Sequence, residues 1–144
     1  MDLLTSCIRA DGEYAQLLAA VRAAFRDKPL PLLANGLCEG ATEAFMTSLI
    51  EDVCTKAAPD GGVSRTGRRR CALIVCPEEK DCVRLRQTLE RVGLRAAFYT
   101  PRDLSFYNVT ASHEYEHERM RVLSGLAAGT LDAVITTPDA ALSY

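Results

Sequence analysis

The stretch Cys71-Ala72-Leu73-Ile74-Val75-Cys76-Pro77-Glu78 decides the fold class. Six uncharged residues run without polar alternation, the pattern of a central parallel strand covered on both faces. Pro77 and Glu78 then open a helix with Cys82, Leu85, Leu89 and Val92 along one side, and Gly93 closes it. Downstream, Leu94 to Tyr99 reads as a strand and Thr100 to Ala111 as a loop. Ser112 caps a helix that Gly129 ends, Leu131 to Thr137 is a further strand, and Pro138 to Tyr144 reads as the first turns of another helix. Upstream, Tyr14, Leu17, Leu18, Val21 and Phe25 recur at helical spacing until Pro29 stops them. Leu30 to Ala34 is expected to be a short strand. A Gly-containing turn then leads into a helix striped by Phe45, Leu49, Ile50 and Val53, and Ala58 to Arg70 is a surface loop. Strands alternating with helices predict an α/β three-layer sandwich on a mostly parallel sheet. The expected division is a helical segment over 1–29 and the α/β domain over 30–144. Ligands of such sheets lie beyond the carboxyl ends of the strands.

Composition narrows the function classes. The chain has 144 residues, of which 48% are hydrophobic and 25% charged, with a net charge of -2. Surface scaling gives roughly 7,300 Å² accessible when folded, enough burial for a full core. A small duplex-binding clamp is normally strongly basic, because phosphate neutralisation supplies most of its affinity, so the near-neutral balance argues against one. Nothing approaches the 20 or so apolar residues of a membrane span, and Met1-Asp2-Leu3-Leu4 lacks the basic start of a signal peptide. The expectation is a cytoplasmic protein. The six cysteines (7, 38, 54, 71, 76, 82) show no C-x-x-C spacing and read as small, buried, reduced side chains rather than a disulfide or zinc scaffold.

Three candidate sites stand out. The turn before the second helix occupies the place of a phosphate-binding loop, whose pattern G-x-x-x-x-G-K-[ST] needs backbone amides, a lysine and a magnesium-binding hydroxyl. With Gly40 as the second glycine, Asn35 replaces the first, Ala41 replaces the lysine and Thr42 keeps the hydroxyl. With Gly36 as the first glycine, Ala41, Thr42 and Glu43 fill the last three positions. Neither register has the lysine, and Glu39 and Glu43 add negative charge where phosphates would lie, so the loop reads as a turn that binds no nucleotide. Second, His113-Glu114-Tyr115-Glu116-His117 matches H-E-x-x-H, in which two histidines one turn apart hold zinc and the glutamate is the base. At 100° per residue, Val122 and Leu126 fall within about 20° of Tyr115 while His113 and His117 lie near 160° and 200°, which puts the histidines on the solvent side. No third ligand is evident, so zinc-dependent hydrolysis is the alternative reading rather than the favoured one. Third, Arg65, Arg68, Arg69 and Arg70 could meet phosphates, but no aromatic is interleaved for stacking, and a solvated loop is the plainer reading.

The ordered set of segments carries a resemblance. Leu-Pro-Leu-Leu-Ala-Asn-Gly-Leu-Cys-Glu-Gly over 30–40 is followed by Ala72-Leu73-Ile74-Val75-Cys76-Pro77. Next come Tyr99-Thr100-Pro101-Arg102-Asp103-Leu104-Ser105-Phe106-Tyr107, then the Ser112 to Arg119 helix start and Ala133-Val134-Ile135-Thr136-Thr137-Pro138. In this order and spacing, residues 10 to 144 resemble the N-terminal region of bacterial transcription-repair coupling factors, which is similar to the nucleotide-binding domain of the excision nuclease's B protein with its P-loop decayed. The resemblance implies a degenerate RecA-like fold without catalytic residues or bound cofactor in this stretch. For the parent protein it implies an ATP-dependent DNA translocase with ATP and Mg in a downstream motor, acting with RNA polymerase, the excinuclease A protein and DNA in nucleotide excision repair. It implies further domains of the same chain as partners, and a 144-residue stretch that is part of something larger. Under it the His113–His117 segment is an ordinary family helix.

Overall fold

The computed structural model describes residues 2–25, 31–38, 40–64, 67–101 and 111–142; the side chains of residues 2 and 111–115 lie outside that description. Its elements in chain order are α1 (Asp2–Ala10), α2 (Gly12–Ala24), α3 (Ala41–Cys54), β1 (Ala72–Val75), α4 (Glu79–Arg91), β2 (Ala96–Tyr99), α5 (Ala111–Ala127), β3 (Ala133–Thr136) and α6 (Pro138–Leu142). The three strands form one parallel sheet in the order β1-β3-β2, so the chain belongs to the α/β class.

That order follows from the crossovers. The chain runs from β1 past the centre to β2, then returns to place β3 between them. Right-handed connections in opposite directions put α4 and α5 on opposite faces of the sheet. In register, Ile74, Ile135 and Phe98 line one face, where they join Ile50 and Val53 of α3 and Cys82, Leu85 and Leu89 of α4 in a single core. Leu73, Val134 and Ala97 lie in register on the other face, with Val75, Thr136 and Tyr99 one step along. Arg119 of α5 stacks over the Tyr99 ring there, 4.3 Å from its centroid. Central β3 is buried at all four positions, whereas Leu73 and Val75 of β1 are 69% and 52% exposed.

One expectation needs correction. Residues 31–38 pair with no strand among the described residues; they run as an exposed coil, with Leu33 85% exposed, while Leu30 lies outside the described residues. Pro31 has no N–H to give a ladder, and no described strand runs beside this segment. The sheet therefore has three strands, not four, among the described residues. The expected helix through Tyr14, Leu17, Leu18 and Val21 is α2, and a further helix, α1, precedes it; Asp11 separates the two. Asp11 accepts from the Glu13 and Tyr14 amides at 2.7 and 3.2 Å as the N-cap of α2. α1 packs against α3, where Arg9 reaches Glu51 at 2.7 Å and Asp52 at 3.0 Å and the Tyr14 hydroxyl donates to Asp52 at 2.7 Å.

Candidate functional site

The residues expected to form a degenerate phosphate loop, Asn35, Gly36, Gly40, Ala41 and Thr42, lie in an exposed coil and at the start of α3. Gly36 and Gly40 take φ of 76° and 90°, left-handed values that glycine adopts without strain. The chemistry of this segment is otherwise directed. Gly40 is the N-cap of α3 and supplies no side-chain acceptor. The Ala41 amide donates to the Cys38 carbonyl at 3.0 Å, which uses one of the few donors a phosphate would require. Glu43, in the first turn, lies 3.0 Å from the Arg84 guanidinium and accepts from the Thr88 hydroxyl at 3.1 Å, tying α3 to α4. The open groove beside the coil, about 840 Å³, runs between Leu33, Gly36, Tyr14 and Phe45. Its charged lining residues are Asp11 and Glu13, both acidic, so the local field opposes an anion.

Near the carboxyl ends of β2 and β3, described polar groups bond to one another. The Thr136 hydroxyl donates to the Tyr99 carbonyl at 3.1 Å, and the Cys82 thiol to the Thr136 carbonyl at 3.4 Å. The Thr137 hydroxyl accepts from the Ala140 amide at 3.3 Å, capping α6. Thr100 Oγ1 is buried without a hydrogen-bond partner among the described residues. Residues 102–110 of the expected Thr100–Ala111 loop lie outside the description.

The H-E-x-x-H segment falls within α5 as its periodicity suggests, and His117 is exposed there. The side chains of His113 and Glu114 lie outside the described residues, and no group of three metal-ligating side chains occurs among the described ones. Leu126, expected on the buried face, is 39% exposed, whereas Val122 is buried.

The arginine cluster is the clearest reassignment. Arg65 lies outside the described residues and Arg68 is exposed, but Arg69 and Arg70 are turned inward. Arg69 donates to Asp132 at 2.8 Å. Arg70 pairs with Asp60, donates to the Val53 carbonyl at 3.1 Å and lies 4.3 Å over the Phe25 ring. They hold the loop to the sheet rather than offering charge to a polyanion.

Asp132, which the sequence reading passed over, organises the amino ends of the strands. It accepts from the Arg95 amide and Nε at 3.0 and 2.9 Å and from Arg95 and Arg69 NH2 groups at 2.8 Å. Burial alone would raise its pKa; the Arg95 hydrogen bonds and the two cationic charges outweigh that and hold the carboxylate below the ordinary range. A charged residue immediately before each of β2 and β3, with Arg69 and Arg70 shortly before β1, was the available signal.

Among the cysteines, Cys54, Cys76 and Cys82 are buried and Cys71 is half-buried, but Cys7 and Cys38 are exposed, contrary to the reading of all six as buried. Burial raises the Cys82 thiol to about 12 and the Cys54 thiol to about 11. No described helix is long and apolar enough to cross a membrane. In comparisons with known proteins, no family model matches the chain, and neither a curated protein nor a solved structure is significantly similar to it.

Proposed function

We propose that this chain is a non-catalytic scaffold module, a degenerate RecA-like α/β domain of a transcription-repair coupling factor. The observation that carries the proposal is the start of α3. Two glycines of left-handed φ lead into this helix, neither phosphate-loop register supplies a lysine at Ala41 or Thr42, the Ala41 amide is bonded to Cys38, and Glu43 is directed to Arg84 and Thr88. The parallel order β1-β3-β2 is compatible with this reading. In it, ATP and Mg serve the parent protein's motor, and RNA polymerase, the excinuclease A protein and DNA are partners of the whole protein, to which this module contributes surfaces for neighbouring domains.

Calorimetric titration of the chain with ATP and Mg tests the first half: no saturable heat is expected, and saturable binding at micromolar affinity overturns it. Grafting residues 10–144 into a coupling factor in place of its own N-terminal stretch tests the second. Retained strand-specific repair supports the assignment, and a folded chimera that has lost it refutes it. A zinc titration decides the alternative hydrolase reading. No uptake is expected; zinc held by both His113 and His117, and lost in His113→Ala, would favour that reading instead.

A further inference from the structure

Two thiols meet where β1 hands the chain to α4. Strand alternation puts Cys76 on the same face as Ile74, and both lie in the core that α4 covers. α4 begins a few residues later and lays Cys82, Leu85 and Leu89 on the sheet, so Cys82 is the member of that stripe set against the end of β1. The hydrogen bonds show the approach. The Cys76 amide and the Cys82 thiol converge on one acceptor, the Thr136 carbonyl oxygen, at 2.9 and 3.4 Å. The two side chains also interact directly, through a hydrogen bond that favours the Cys76 thiolate and opposes that of Cys82. Other thiols are placed differently: Cys7 and Cys38 are exposed, and the Cys71 thiol turns to the Ala72 carbonyl at 3.7 Å.

We propose that Cys76 and Cys82 are a redox-sensitive pair, which hydrogen peroxide closes into a disulfide tying the start of α4 to the end of β1. Cys76 reacts first, being 9% exposed against 0% for Cys82. It gives its proton to solvent, and its thiolate attacks one peroxide oxygen. The S–O bond forms, the O–O bond breaks, and the departing hydroxide takes up a proton to become water. The Cys82 sulfur, losing its own proton, then attacks the Cys76 sulfur; the S–S bond forms, the S–O bond breaks, and the second oxygen leaves as water. The two thiols have given up two electrons and two protons, and one peroxide has become two waters. Cys82 loses its bond to Thr136, but that carbonyl keeps the Cys76 amide and is not orphaned. Closure stiffens the turn over 77–81, at the end of the sheet where ligands of parallel sheets lie.

The full chain, dilute and treated with hydrogen peroxide, is mapped by trypsin and mass spectrometry without reduction. Cleavage after Lys80 separates the two cysteines, so peptides 71–80 and 81–84 should appear joined and fall apart with dithiothreitol. Fragmentation should place the bond on Cys76, not Cys71. In urea, the unfolding equilibrium constant of the oxidised chain should be at least about tenfold smaller than that of the reduced chain. In Cys82→Ala that reducible difference should vanish, with Cys76 passing on to sulfinic acid. If this variant does not fold, the map and the urea comparison on the parent chain decide. Oxidation confined to Cys7 and Cys38, a bond from Cys76 to any other cysteine, or a Cys76–Cys82 disulfide that leaves the unfolding constant unchanged or larger would overturn the proposal.

Discussion

Asp132 is 4% exposed and serves two arginines. Its pKa is depressed in the folded chain, so the stability it confers is fully present above the ordinary carboxylate value of 3.8 and is lost as pH falls through the lower folded value. Asp132→Asn should lower unfolding free energy at pH 7 by about 3 kcal/mol, near the low end for breaking a buried pair, because both arginines keep some access to water. In urea titrations the deficit of this variant should shrink below pH 4. An equal deficit at pH 7 and pH 2 would show that the carboxylate's charge is not what matters. Residue chemistry of this kind was only partly legible. That neither register of the expected phosphate loop has a lysine, at Ala41 or at Thr42, could be read directly, since an absent cation needs no geometry. That Arg69 and Arg70 point inward could not, because it depends on Asp132 and Asp60, 63 and 10 positions away.

At the scale of elements, α4 and the apolar strands follow from local pattern. Cys82, Leu85 and Leu89 recur at helical spacing and all three are buried. The Leu30–Ala34 segment shows the limit of the same logic. A short apolar run has no period that distinguishes strand from extended coil, and pairing depends on an edge being within reach. The contrast gives a measurement. Leu89→Ala, at a site with 0% exposure, should cost about 2–5 kcal/mol. Leu33→Asp in the coil should change stability by less than about 0.5 kcal/mol, as surface substitutions do. A large loss at Leu33 would mean that the segment is packed as a strand after all.

For the whole molecule, the six thiols report on how the layers close. At pH 7.5 the native chain should give two fast-reacting thiols, Cys7 and Cys38. Cys82, at about 12, should react on the order of a thousandfold slower until the chain is unfolded. Rapid labelling of Cys82 in the native chain, read by mass spectrometry, would show that α4 does not seal the core face. The amino-acid sequence by itself determined the α/β class, the helix at 79–91, the two apolar strands around Ile74 and Ile135, and the absence of a phosphate-loop lysine. Each depends on neighbours within a few residues or on residue type alone. Only the tertiary structure decided the order of the described strands, the inward turn of Arg69 and Arg70 and the gathering of charge at Asp132. These depend on which distant segments meet, and crossover geometry and burial settle that, not local periodicity.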